Sequence, residues 1–407
     1  MSYNGFVDDE ISVDNWCSRM TWWVCESTVY FYYFTAVFVF EEGNVNKVGD
    51  MKKLKGTILE LIIENLLKAC GYKSVLEDGI YVHRNGDGLR YVNGKGSNHD
   101  ADVLMVPPYQ IPFAYPVRLL VECKAYNSNK IGLAIVRSAL GLQYDLNDFE
   151  IVTKEYLQQR RNNQRTMYAL ENRERYKYQI AVASINGFSK NAIEFACNHK
   201  IPLIDLSLLI DGISDDIKTI DGIQEEQQTV LLNIVRRHFP NLEGARTVER
   251  ARQILGDDTI TTVNIPLELS NVAEKTMNAM QQVLVGALTN GDTLLLTADE
   301  VSKSLLYELQ NETQEQEILF TIHFDERGNR KWYGIIMYAS QEIRFNFELP
   351  GQLFDFWRGK NFELNEALNV KERYLKFLTI IGEHNGRRIN LNLRIPDEWF
   401  SAVRENF

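Results

Sequence analysis

The chain has 407 residues, more than one domain ordinarily holds, so two or three domains are expected. Hydrophobic content of 45% and charged content of 24% exclude a disordered or low-complexity chain and allow a large core. A net charge of −11 excludes a uniformly basic nucleic-acid coat, although a local basic patch still binds against an acidic total. The five cysteines, Cys17, Cys25, Cys70, Cys123 and Cys197, include no CxxC pair. That spacing argues against a zinc ribbon and a disulfide framework, and fits a reducing cytoplasm. The six histidines are scattered, with no HxxxH pair.

Taken in chain order, residues 1–50 form an N-terminal extension of uncertain status. The run TWWVCESTVYFYYFTAVFVF at 21–40 is long enough to span a bilayer. Glu26 interrupts it and no basic cluster orients it. Its aromatic and β-branched residues favour a strand pair, so no stable membrane association is expected. A further reading places the functional start at Met51. A signal peptide is not expected, because Asp8, Asp9 and Glu10 precede the run.

Residues 51–70 carry a helical apolar stripe of Ile58, Leu59, Ile62, Ile63, Leu66 and Leu67, with Gly71 placed as a C-cap. Glycine-rich residues 79–98 read as a hairpin-like stretch, and 101–106 as a short strand. Four prolines between 107 and 116 make the next connection irregular. VRLLVEC at 117–123 is a buried central strand, and 131–142 a helix. Residues 150–178 are basic and tyrosine-bearing, with Arg160, Arg161 and Arg165 at their centre. A β-α-β unit over 178–206 predicts a parallel pair and closes an α/β domain spanning 51–206. Residues 207–407 open with charged helices and continue as alternating strands, which predicts a C-terminal α+β module for recognition, sensing or assembly.

The chemistry-bearing set is Asp102, Glu122 and Lys124. The strand period of two puts Glu122 and Lys124 on one face and Cys123 on the other. Asp102 lies 20 residues before Glu122, on the preceding strand. Two carboxylates are oxygen ligands suited to Mg²⁺, and a neighbouring lysine can orient or deprotonate water for attack on phosphorus. Taken alone, an ExK pair on a strand is far more often a solvated charge pair than a site.

The order helix, strand, strand with D…ExK resembles the PD-(D/E)xK restriction-endonuclease-like nucleases, and in particular their Mrr-like branch. Four segments carry the resemblance: ILELIIENLLKACGY, GSNHDADVLM, LLVECKAY and INGFSKNAIEFACNHKIPLIDL. They cover about residues 51–206, with no proline before the first aspartate. The resemblance implies a central mixed sheet flanked by helices. It implies Glu60, eleven residues before Gly71, as a further catalytic and metal-binding residue beside Asp102 and Glu122. It also implies Mg²⁺ as cofactor (with Mn²⁺ as a substitute), DNA as substrate with RNA open, and restriction or anti-phage defence. Double-strand cutting would favour a homodimer. Glu64 lies one turn from Glu60 as an alternative carboxylate. His99 and Asp100 sit beside Asp102, where a self-bonded turn is the plain alternative. His99, Arg137, Arg160, Arg161 and Arg165 are nucleic-acid-binding candidates, and Gln143 is a candidate for a further phosphate contact; a half-exposed helix face is the favoured alternative for Arg137 and Gln143, and a solvated amphipathic helix the alternative for the three central arginines. Two rival functions stay open: an effector nuclease gated by the C-terminal module, and an inactive DNA-binding module.

Overall fold

The computed structural model describes residues 51–79, 81–84, 90–110, 112–149, 176–220, 225–242, 252–253, 256, 263–288, 293–312, 318–324, 331–348 and 364–405. The 21–40 run and the basic centre of 150–178, with Arg160, Arg161 and Arg165, lie outside these residues. Among the described residues, no helix is long and apolar enough to cross a membrane. The architecture is mixed α/β, and residues 46–407 cluster as one compact unit.

Helix α1 (Met51–Ala69) opens the described chain. Its end is a Schellman turn. Gly71, at φ +87°, lets the Tyr72 N–H reach the Leu67 carbonyl and its own N–H reach the Lys68 carbonyl. Strands β1 (Lys73–Ser74), β5 (Val103–Val106), β6 (Val117–Lys124), β7 (Lys177–Ser184) and β8 (Leu203–Asp205) form a five-stranded sheet in that spatial order. The pairs β1–β5 and β5–β6 are antiparallel, while β6–β7 and β7–β8 are parallel. Strands β2 (Val82–Arg84), β3 (Arg90–Asn93) and β4 (Asn98–Asp100) form a separate three-stranded meander.

Helices α2 (Leu133–Asn147) and α3 (Lys190–Asn198) cover one face of the five-stranded sheet. Leu104, Leu120, Ile180 and Val182 meet Val136, Ala139, Ala192 and Ile193 there. Strand β8 is too short to pair with the first half of β7. Side chains of α2 serve instead: Asn147 and Gln143 accept hydrogen bonds from the Tyr178 and Ile180 N–H groups, and Asn147 donates to the Tyr178 carbonyl.

The opposite face carries Val103, Met105, Leu119, Val121 and Cys123 and packs on α1. The apolar core then continues without a break across residue 206. It takes in the helices α4 (Leu206–Leu209), α5 (Ile213–Thr219), α6 (Glu225–His238) and α7 (Leu267–Gln282), and ends on Val283 and Val285. This explains the double-width stripe of α1. Ile58, Ile62 and Leu66 and their neighbours Leu59, Ile63 and Leu67 are all buried, because helix and sheet close on α1 from two sides.

A second, eight-stranded sheet is assembled from β9 (Val283–Leu288), β10 (Thr293–Ala298), β11 (Ile318–Leu319), β12 (Thr321–Phe324), β13 (Lys331–Tyr338), β14 (Gln341–Glu348), β15 (Phe377–His384) and β16 (Arg387–Arg394). All its pairs are antiparallel except β11–β16. Its far face buries Trp332, Phe345, Leu378 and Ile380 against α8 (Glu300–Glu312), α9 (Leu364–Val370) and α10 (Asp397–Glu405). Lys303 of α8 reaches back to donate to the Gln281 carbonyl, at 2.9 Å, so it ties this layer to the end of α7.

Candidate active site

Pairing of β5 with β6 ends at Val103 opposite Val121, while β6 stays paired with β7 as far as Lys124. The last residues of β6 therefore have one open edge. Asp102, immediately before β5, fills it: its carboxylate accepts the Cys123 N–H at 2.7 Å, standing in for a missing strand. The antiparallel register thus brings Asp102 opposite Glu122, on the sheet face shared with Lys124. Lys124 Nζ lies 3.0 Å from Glu122 and 3.8 Å from Asp102, bracketed by the two carboxylates.

Burial raises the Asp102 carboxyl above the usual range, and the Cys123 N–H and Lys124 oppose the rise. Burial pulls Lys124 down, but the charges of Glu122 and Asp102 outweigh it and carry the ammonium up to about 12. Lys124 is therefore a cation at neutral pH. The Cys123 thiol points to the α1 side, and burial pushes it well above its ordinary value, so it is a packing group and not a ligand.

Glu60 approaches from α1, on the opposite face of the sheet. Burial raises it to about 7, and the Asp102 charge adds to the rise. Arg236 and Lys124 act in the other direction. Glu60, Asp102, Lys124 and Asp100 thus share one electrostatic neighbourhood. Glu64, one turn on, is committed elsewhere: it accepts from Ser74 at 2.8 Å and pairs with Lys68 at 2.9 Å.

The other candidates fall outside this group. His99 Nε2 lies 2.7 Å from Asp145 of α2, and Asp145 also accepts the Gly96 N–H. That carboxylate pins the 94–97 turn, and a Cβ at Gly94 would stand 2.0 Å from it. Gln143 belongs to the β7 edge. Arg137 is exposed on α2, with its guanidinium 5.7 Å from the Phe195 ring centre.

Among the described residues, no three His, Cys, Asp or Glu side chains close into a ready-made metal cage. The donor chemistry suits a hard cation nonetheless. Mg²⁺ commonly takes one or two carboxylates and keeps its waters, and Asp102 and Glu122 are oxygen donors on one face. Glu60 adds a third carboxylate nearby. Sequence reasoning missed Arg236, since nothing in its local pattern ties α6 to α1; only the packing of the two helices reveals it.

No family model matches the chain, and no curated protein does. A solved structure titled as the crystal structure of AF1548, a protein of unknown function, is similar over 55% of this chain and 96% of its own. The identity is 15% and the TM-score 0.30, a likeness too slight to bear on fold or function.

Proposed function

We propose that the chain is a Mg²⁺-dependent endonuclease that hydrolyses phosphodiester bonds of DNA. Its nuclease part would be a restriction-endonuclease-like core of the Mrr-like type in residues 51–206, acting in restriction or anti-phage defence in the cytoplasm. The observation that supports this most is the bracketing of Lys124 by Asp102 and Glu122 at an open strand edge. The strand order, with an antiparallel pair leading into a parallel β-α-β, is compatible with such a core.

In this reading Asp102 and Glu122 hold the divalent cation and Glu60 assists. When bound, the cation neutralises phosphate charge and makes water more acidic. The remaining work belongs to the side chains. Lys124 shifts from the carboxylates toward the scissile phosphate and hydrogen-bonds the attacking water. The Cys123 N–H keeps Asp102 fixed, so the carboxylate needs no reorganisation. The water oxygen bonds to phosphorus and gives up a proton to solvent, the ester P–O bond breaks, and the leaving oxygen takes up a proton from solvent.

Incubation of the protein with plain, methylated and single-stranded DNA and with RNA, in Mg²⁺, Mn²⁺ or EDTA, tests the reading. Cleavage of a DNA substrate in Mg²⁺ and none in EDTA is expected. Equal cleavage in EDTA, or none on any substrate, would overturn it, and RNA as the sole substrate would move the activity to the alternative target.

A second reading is an effector nuclease gated by its C-terminal half. It is favoured by the position of α1, which carries Glu60 and is clamped by helices from beyond residue 206. Any displacement of those helices would be felt at Glu60.

A further inference from the structure

We infer that Lys218, which lies beyond the segment resembling a nuclease, binds a non-scissile backbone phosphate of the nucleic-acid substrate. The inference rests on the nuclease reading. The parallel strands β6 and β7 end side by side, with Lys124 opposite Ser184. A loop leaves each end and carries an asparagine: Asn127 three residues after Lys124, and Asn186 two residues after Ser184. The second loop is held in place, since the Asn186 N–H donates to Ser184 Oγ at 3.1 Å and that hydroxyl donates to the Gly187 carbonyl at 3.1 Å. Lys218, in the last turn of α5, donates from Nζ to Asn186 Oδ1 at 3.1 Å. Lys55 of α1 ties this helix end down: its Nζ donates to the Lys218 carbonyl at 2.7 Å and reaches Asn127 Oδ1 at 3.5 Å. Gly56 follows Lys55, and Glu60 Oε1 lies 4.0 Å from where a Cβ would stand at that glycine. These contacts bring two ammonium groups to the strand ends that carry Lys124 and to the stretch of α1 that carries Glu60.

The two lysines differ in what explains them. Lys55 is 5% exposed, and its bond to a carbonyl in the last turn of α5 is ordinary helix capping. Capping does not explain Lys218, whose ammonium rests on a neutral amide of the β7 loop. Among the described residues its carboxylate partner is Asp215, at 3.9 Å and with a side chain 85% exposed, while Asp216 is taken by Lys275. The charge of Lys218 is thus held at the strand ends without a close counter-ion, on a side chain that stays partly open to solvent. In open α/β sheets the carboxyl ends of parallel strands are where ligands bind. An ammonium with three donors is a point charge suited to phosphate. Asp102 and Glu122 repel a polyanionic backbone at this end of β6, and a cation on the neighbouring loop offsets that repulsion.

Cleavage in Mg²⁺ of the substrate that wild type accepts, DNA or RNA, tests this with wild type, Lys218→Gln and Lys218→Arg over a range of substrate and salt concentrations. Thermal unfolding confirms that the variants fold. Lys218→Gln, which keeps a polar group near Asn186 and removes the charge, is expected to raise KM about tenfold with a smaller effect on kcat, and to lower the salt slope of kcat/KM by about one. Lys218→Arg should recover the slope and most of the KM. Wild type that cuts, with KM and slope unchanged in a folded Lys218→Gln, would overturn the phosphate role alone, and so would a loss confined to kcat. Wild type that cuts neither DNA nor RNA would overturn the nuclease reading and this inference together.

Discussion

At the scale of single residues, the decisive contact is the Cys123 N–H on Asp102, because it makes one carboxylate both a strand partner and a candidate ligand. Asp102→Asn keeps an oxygen for that N–H and removes a negative charge from a crowded cluster. It should be at least as stable as wild type in thermal unfolding while losing nicking activity; a large loss of stability would show the charge itself to be structural. Lys371 offers a test remote from the site. It sits beneath Trp399 and Trp332, its Nζ 5.0 and 5.6 Å from the ring centres, and donates to the Ile322 carbonyl. Burial lowers it from 10.5 to about 8. Below pH 8 both folded and unfolded chains carry the charge, and the fold bears the full cost of burying it. Between about 8 and 10.5 only the unfolded chain stays protonated, so this contribution to stability rises with pH. Lys371→Met should therefore stabilise the protein at pH 7 by up to about 3 kcal/mol, the shift converted to free energy, and by less near pH 10. The same increment at both pH values in urea unfolding would contradict this.

At the scale of elements, α1 joins the two halves. Each fully buried Leu or Ile contributes roughly 1.5–3 kcal/mol, and α1 places such residues on both sides. A chain cut after residue 206 would expose the part of α1 that the later helices cover. Residues 51–206 alone should show no cooperative thermal transition, and a soluble fragment unfolding cooperatively would refute the shared core. Gly334 illustrates a tighter constraint. It stands opposite Phe345 in the β13–β14 pair, and a Cβ there would lie 2.0 Å from the buried ring. Gly334→Ala should cost about 1–3 kcal/mol in denaturant unfolding, as overpacking does. These elements mark what the sequence made legible. The stripe of α1, its Gly71 cap, strand β6 and the closing β-α-β all follow local periodicity and appear as read. The juxtaposition of Asp102 with Glu122 followed from two adjacent strands. The roles of Gln143 and Asn147 did not, because they depend on how far β8 extends. Nor did the Asp145 partner of His99 or the approach of Arg236, which arise from contacts between distant segments that no local pattern encodes.

At the scale of the whole molecule, the candidate site lies at the end of β6, the central strand of the five-stranded sheet. The net charge of −11 matters less than the local arrangement at the end of β6, where Lys124 stands between the carboxylates of Asp102 and Glu122. Such a group repels a nucleic acid until a divalent cation neutralises it, so affinity for DNA should rise with Mg²⁺ and fall with added salt. The measurement that bears most directly on the account is nicking of supercoiled plasmid in Mg²⁺ by wild type, Asp102→Ala and Lys124→Ala. Wild type is expected to nick, Asp102→Ala to be inactive, and Lys124→Ala to be slower by about 10²–10⁴-fold, the range for a positioned proton-transfer or hydrogen-bonding group. Equal nicking by all three proteins would contradict the assignment of Asp102 and Lys124 and, with it, the proposed site.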